Sequence, residues 1–414
     1  MPTTVVVVKH ASMASEFMAA ALAAGYEPQA VAGLPRHFFI PGLRPEAFAL
    51  ADHPTVQIVD DGDAELTPGE IQEVTVAADG SGAGGWGAAR IIRRDDPFAP
   101  LTNAGAYPKT STFDCVRTGA GVDIYMIDAG CDDAHPEFAG RSLTNWWYST
   151  SYYSTGDDSA HGTACMSVAA GDTVGVARES RLIPLKFYNA GSGAGTTRAV
   201  SALGAALSLY QLSAPDDRPA VLFFSWSGFT SSVDAAVTDL IDAGLVCCFL
   251  AGNDAIDITS EIVRPSESDP DTIVVGGIQY GDYPYYLPAS RNGAGSGTNW
   301  SLTDVDVLAP AQGVLVARRI ADGGGYRVAN GTSFSTPFVA GVIACMLQGY
   351  KRLTTRAEVQ ALKAKLLANA TTARLKPQRK AQPPYDWMQL PDRILYLDPR
   401  IEFEVIPGLT PRAA

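Results

Sequence analysis

The chain has 414 residues, 46% hydrophobic and 18% charged, with a formal net charge of −13. That length can bury a large core and exceeds one small domain, and the composition excludes a disordered or membrane-embedded protein. The acidic balance argues against a nucleic-acid partner, whose phosphates it would repel, and no apolar run is long enough to span a bilayer.

The start, MPTTVVVVKHASMASEF, lacks the basic leader and the longer apolar stretch of a secretory signal, so an intracellular setting is expected. Val5–Val8 is instead predicted as a strand and Ala11–Ala24 as a helix. Arg36–Ile40 is a second strand, Pro45–Asp52 a short helix with proline at its start, and Val56–Val59 a third strand. These make residues 1–76 a small α/β unit. The stretch Ala78–Gly85 (ADGSGAGG) has linker composition and marks the domain boundary.

Beyond residue 98, strands alternate with helices. The strands are Val122–Ile127, Leu182–Phe187, Val221–Phe224, Leu245–Leu250, Thr272–Val275 and Val305–Leu308. Several are continuous apolar runs, as strands covered on both faces should be. Helices are predicted at Ala199–Leu209, Val233–Ala243 and Arg356–Asn369, the last with a capping signal in Thr355 and Glu358. The alternation implies an α/β fold, a mostly parallel sheet flanked by helices. Six cysteines (Cys115, Cys131, Cys165, Cys247, Cys248 and Cys345) sit mostly in apolar or small-residue runs. They are read as buried thiols, which favours a reducing compartment.

In such a sheet, functional groups gather at the carboxyl ends of strands and the amino ends of helices. Asp128 ends the strand DIYMID. His161 opens the helix HGTACMSVAAG, which closes at Gly171. Ser333 opens the helix beginning TSFSTPFVAG, with Pro337 expected in its first turn. A serine hydroxyl becomes a nucleophile when an imidazole takes its proton, and a carboxylate fixes the tautomer of that imidazole. Asn253, just past the strand ending at Leu250, offers an amide donor for an oxyanion, and Gly252 lets a substrate backbone approach. Singly these are turn and cap residues. Together, in the order Asp, His, Ser, they point to a hydrolase triad.

The blocks IDAGCDDAHPEFAGR, HGTACMSVAAG, LAGND and NGTSFSTPFVAG resemble the signature blocks of the subtilisin family. HPEFAGR and WGAARI are similar to its proteinase K branch. LKFYNAGSGAG, FFSWSG, DPDTIVVGGIQ, VDVLAPAQGV and LPDRILYLDP extend the resemblance over residues 86–399. Residues 1–76 are similar to the family's inhibitor-type propeptide.

The resemblance implies a ferredoxin-like propeptide over residues 1–76, a linker and the start of the mature part over 77–97, a subtilisin-like peptidase domain over 98–400, and a tail over 401–414. It implies a serine endopeptidase without a required cofactor, acting on polypeptides and held by its own propeptide as intramolecular inhibitor. Gly191, Ser192 and Gly193, with Ser225, Trp226, Ser227 and Gly228, match the edge segments that flank an extended substrate. Self-cleavage is expected within Ala77–Gly85. Asp157 and Asp158 are read as a helix cap or solvated loop, and Cys131 as a packed, inert thiol. Pro270, Thr272 and Asp306 align with a calcium site of two carbonyls and one carboxylate; a single carboxylate binds calcium weakly, so no metal ligand is assigned. A rival reading is a non-catalytic or self-limited subtilisin-fold assembly protein.

Overall fold

The computed structural model describes residues 3–8, 11–23, 26–34, 36–41, 56–60, 67–68, 86–94, 115–141, 146–147, 156–190, 195–259, 263–287, 296–376 and 389–412. The expected helix Pro45–Asp52 and the segment Ala78–Gly85 lie outside them.

The N-terminal unit is an antiparallel sheet of β1 (Thr3–Val8), β2 (Gln29–Ala30), β3 (His37–Pro41) and β4 (Val56–Asp60), in the order β2-β3-β1-β4, with helix α1 (Ala14–Ala23). Strand alternation explains its two faces. Val6 and Val8 pack with Phe17, Ala21, Phe38 and Ile40 in a small core of their own. Val7 points the other way and joins Val31 and Leu34 in the large core of the following domain. An ion pair of 2.8 Å between Arg36 and Asp239 ties the two units together. A further short strand, β5 (Thr67–Pro68), is not evident in the sequence.

Helix α2 (Trp86–Ile91) then docks on the main domain. Trp86 is fully buried and its Nε1 donates to the Gln312 carbonyl at 3.0 Å. Arg90 forms a buried pair with Asp282 at 2.7 Å.

The main domain follows the expected alternation: β6 (Asp123–Asp128), β7 (Trp146–Trp147), α3 (His161–Ala170), β8 (Arg181–Lys186), α4 (Thr196–Leu212), β9 (Ala220–Phe224), β10 (Trp226–Ser227), α5 (Ser232–Asp242), β11 (Val246–Leu250), β12 (Ile273–Gln279) and β13 (Tyr283–Pro284). A small hairpin of β14 (Tyr286–Leu287) and β15 (Ser296–Gly297), then β16 (Val307–Pro310), an antiparallel pair of β17 (Val314–Ala317) and β18 (Tyr326–Ala329), α6 (Thr332–Leu347) and α7 (Arg356–Asn369) follow. The central sheet runs β13-β12-β11-β9-β6-β8-β7, and β16 also pairs with β12. Every pairing is parallel except β12 with β13.

Every residue of β6, β9 and β11 is buried; β9 and β11 read as unbroken apolar runs for that reason, while β6 carries an aspartate at each end. Helix α6 is buried along all 16 residues, so it shows no polar face in the sequence. Among the described residues no helix is long and apolar enough to cross a membrane. The capping box on α7 forms as expected, Thr355 and Glu358 bonding reciprocally. The six cysteines are buried thiols outside any disulfide. One expectation is corrected: α6 begins at Thr332, so Pro337 lies inside the helix, beyond its first turn.

Candidate active site

The chain leaves β6 toward β8 on one side of the sheet and returns to β9 on the other, which opens a crevice at the carboxyl end of β6. Asp128 is the last residue of that strand, and His161 is the first of α3. Close approach of the two depends on Gly162, where a Cβ would stand 2.0 Å from the Gly130 carbonyl oxygen. His161 Nδ1 lies 2.9 Å from both carboxylate oxygens of Asp128. A carboxylate only accepts, so Nδ1 carries the proton and Nε2 is left as the basic nitrogen. Burial, the largest single influence, works against the imidazolium, but the Asp128 charge, the Cys165 thiol and their hydrogen bonds together outweigh it and hold His161 well above the ordinary imidazole range.

The Asp128 end is itself clamped. Lys186, its parallel neighbour on β8, is buried and donates to the Ala129 carbonyl at 2.7 Å and the Gly156 carbonyl at 2.8 Å. The same ammonium pairs with Asp158 at 2.8 Å. Asp157 Oδ1 accepts from the N–H groups of Ser159 and Ala160, and its Oδ2 accepts from Thr163 N–H at 2.8 Å. Asp157 therefore serves the entry to α3, in line with the cap reading, while Asp158 is held by Lys186.

Ser333 is the second residue of α6 and is fully buried, as are Asp128 and, to within 2%, His161. Its hydroxyl donates to the Ser225 carbonyl at 3.3 Å, and no hydrogen bond joins it to His161. The Ser333 carbonyl accepts from Ser225 Oγ at 3.0 Å and Cys165 Sγ at 3.5 Å. Cys165 stands one helical turn after His161, with Sγ 3.7 Å from Nδ1. Asp128, His161 and Cys165 thus bring three ligand-type atoms within 4.8 Å of one another. Burial pushes the Cys165 thiol up, and Asp128 is already engaged by His161 and the Ala129 N–H. The group is a hydrogen-bonded cluster, and a metal would have to displace those bonds. Burial also pushes the Cys131 thiol well up, so its thiolate is scarce, as an inert cysteine requires.

Asn253 sits beyond β11 on a loop where Gly252 has a φ of +104° and a Cβ would meet Asn299 Nδ2 at 2.2 Å. Its Oδ1 accepts from Thr332 N–H at 2.8 Å and from Thr332 Oγ1 at 2.9 Å. That fixes the amide so that Nδ2 is its remaining donor, next to the start of α6. Asn299 braces the loop from behind, bonding Asp254 N–H and the Ala251 carbonyl at 2.9 Å each.

Trp226 is buried with its ring 5.5 Å from that of His161 and stacked 4.7 Å from Tyr188. Its strand β10 pairs antiparallel with β5, Trp226 opposite Pro68 and Ser227 opposite Thr67. Ser225 and Gly228 flank that edge, while Gly191, Ser192 and Gly193 lie outside the described residues. Sequence reasoning missed Cys165, Lys186, Thr332 and Asn299. Only Cys165 carried a readable signal, its four-residue spacing from His161 on a helix.

The sequence profile described as the Subtilase family matches residues 119–383. A cuticle-degrading serine protease of Orbilia oligospora is 30% identical over 63% of this chain and 55% of its own length. Alkaline serine exoprotease A of Vibrio alginolyticus is 30% identical over 71% of this chain and 48% of its own. The chain thus spans about half the length of these relatives. A solved structure of a cold-adapted subtilisin-like serine proteinase matches with a TM-score of 0.57 and 26% identity, covering 75% of this chain and 97% of that one. A profile match over more than half of its residues, on a fold that brings Asp128 at the end of β6 into hydrogen-bond contact with His161 at the start of α3, places the chain in the subtilase family.

Proposed function

We propose that the chain is a serine endopeptidase that hydrolyses peptide bonds through an acyl-enzyme. Asp128, His161 and Ser333 form its triad, and Asn253 is its oxyanion donor. The carrying observation is the Asp128–His161 pair, in which both carboxylate oxygens hold Nδ1 and leave Nε2 as the base. A turn of the Ser333 side chain away from the Ser225 carbonyl would bring Oγ to that nitrogen, the kind of adjustment substrate binding produces. Oγ then attacks the peptide carbonyl as its proton passes to Nε2. The oxyanion receives hydrogen bonds from Asn253 Nδ2 and the Ser333 backbone N–H. Collapse breaks the C–N bond, His161 returns the proton to the leaving amine, and water repeats the sequence on the ester. The reaction as written uses no cofactor. Substrate would extend along Ser225–Gly228 and, opposite, 191–193.

The N-terminal unit is proposed as the inhibitor of this site. Supporting this is the pairing of β5 with β10, which puts this chain's own residues on the edge a substrate would use. The same pairing favours a second reading, a protease limited to its own chain, because the edge is taken in cis.

A fluorophosphonate probe tests the nucleophile. Wild type should be labelled and Ser333→Ala should not; equal labelling of both would remove Ser333 from the role. Intact mass of the two proteins tests processing. Two fragments in wild type and one chain in Ser333→Ala is the expected pattern. The new N-terminus then tells a cut within 77–85 from one directly after β5.

A further inference from the structure

Far from Ser333, one lysine occupies a place built for a cation. Helix α7 presents Arg356, Gln360 and Lys363 on one face, at spacings of four and three. All three reach the turn 269–272 that leads into β12. Arg356 pairs with Asp269 and Asp271 at 2.7 Å each, and Gln360 Nε2 donates to Asp271 at 2.9 Å. Lys363 Nζ goes deeper. It donates to the Pro270 carbonyl at 3.1 Å and the Thr272 carbonyl at 2.6 Å, and pairs with Asp306 at 2.9 Å. The side chains of Lys363 and Asp306 are only 16% and 14% exposed.

Two carbonyls and a carboxylate converging on one point are the hard-oxygen set that calcium takes, at about 2.3–2.6 Å. Here the point holds an ammonium nitrogen, mostly at ordinary N–H···O lengths. An ion bound to the same three oxygens would fall on Nζ itself, so calcium and Lys363 cannot both be there. The residues present therefore do not fit the metal that the sequence alignment suggested. A second pull on Asp306 comes from the Val274 N–H at 2.9 Å, so the carboxylate joins α7, β12 and the approach to β16.

We propose that the Lys363 ammonium replaces a divalent cation: it ties the turn 269–272 to Asp306 so that the fold needs no calcium at this point, and removing the amine leaves a weak calcium site. The charge is carried on the chain, which makes the clamp independent of ion concentration. One carboxylate and two carbonyls set the affinity of the vacated site in the millimolar range.

The test uses the full chain carrying Ser333→Ala, so that self-digestion cannot mimic unfolding, with Lys363→Ala and Lys363→Met made in it. Methionine keeps the stem packing while removing the charge and its N–H donors. Melting temperatures are compared in EDTA and in millimolar calcium, with magnesium as the control ion. The parent should melt at the same temperature in all three. Both variants should melt roughly 5–10 °C lower in EDTA. Calcium should restore more than half of that loss, magnesium little, and calorimetry should find one calcium bound per variant chain and none at this site in the parent. Three results would overturn the proposal: variants as stable as the parent in EDTA, variants that calcium does not rescue, or a parent stabilised by calcium as much as they are. Should the variants fail to fold without calcium, recovery in calcium alone supports the proposal and failure there also overturns it.

Discussion

Pro337 stands four residues after Ser333 in α6 and leaves the Ser333 carbonyl without its intrahelical donor. That carbonyl is instead bonded by Ser225 Oγ and Cys165 Sγ. The proline thus frees a backbone oxygen by which the serine's turn of helix is tied to Ser225, just before β10, on one side and to the histidine's helix on the other. Ser225→Ala should cost about 1–2 kcal/mol of stability, since a buried acceptor loses a partner. In a Pro337→Ala background, which restores an N–H, the same change should cost measurably less. Denaturant titrations of the four proteins give the coupling; equal costs in both backgrounds would mean that the proline does not govern this carbonyl.

Asn253→Ala should lower kcat by about 10²–10³ with KM little changed, the loss that subtilisin shows when its own oxyanion asparagine is removed. A loss carried by KM would make Asn253 a substrate-binding residue. Thr332→Val, which leaves the backbone N–H as the one Thr332 donor orienting the amide, should give a smaller fall in the same direction.

The pH profile follows from His161. As general base it must be neutral, and the Asp128 charge and hydrogen bond, together with Cys165, prevail over burial and raise its pKa. Accordingly kcat/KM should rise with pH along a step lying above the ordinary histidine value of about 6.5. Asp128→Asn should remove most activity, about 10⁴-fold, by losing the tautomer and the charge together. A profile already flat from pH 6 upward would contradict the assignment.

His37 is shifted in the opposite direction, and it makes the stability of the N-terminal unit depend on pH. It is buried beside α5, and desolvation, aided by the Arg36 charge, lowers its pKa to about 3. Arg36 in turn faces Asp239. A depressed histidine binds fewer protons folded than unfolded. Its contribution is therefore complete above the unfolded value near 6.5 and is lost as pH falls toward 3, on the order of 5 kcal/mol in all. Protease sensitivity of residues 1–60 in the Ser333→Ala chain should rise as pH drops through that window, and His37→Leu should flatten the dependence.

Trp226 fills the space between His161 and Tyr188. Replacing it by leucine should open the adjoining subsite and raise kcat/KM for bulky over small side chains at least ~10-fold. A peptide library cut by both proteins would read this out, and an unchanged preference would move the subsite elsewhere.

Local patterns made much of the molecule legible in advance. Strands buried on both faces leave continuous apolar runs, as in β9 and β11, and the Thr355–Glu358 capping box marks the start of α7 by itself. Asp128 at a strand end and His161 and Ser333 at helix starts were readable for the same reason: each needs only its immediate neighbours to define it. The other half could be decided only by folding, because it depends on which distant segments the parallel pairing sets side by side. Register puts Lys186 beside Asp128, the crossing of α3 and α6 brings the Cys165 thiol to the Ser333 carbonyl, and β5 finds β10 across some 160 residues of chain, a distance no local periodicity encodes. Lys363 on an unremarkable helix face became a substitute for an ion only when α7 lay against the turn before β12. A lone lysine in a sequence carries a charge, and the three oxygens around it supply the meaning.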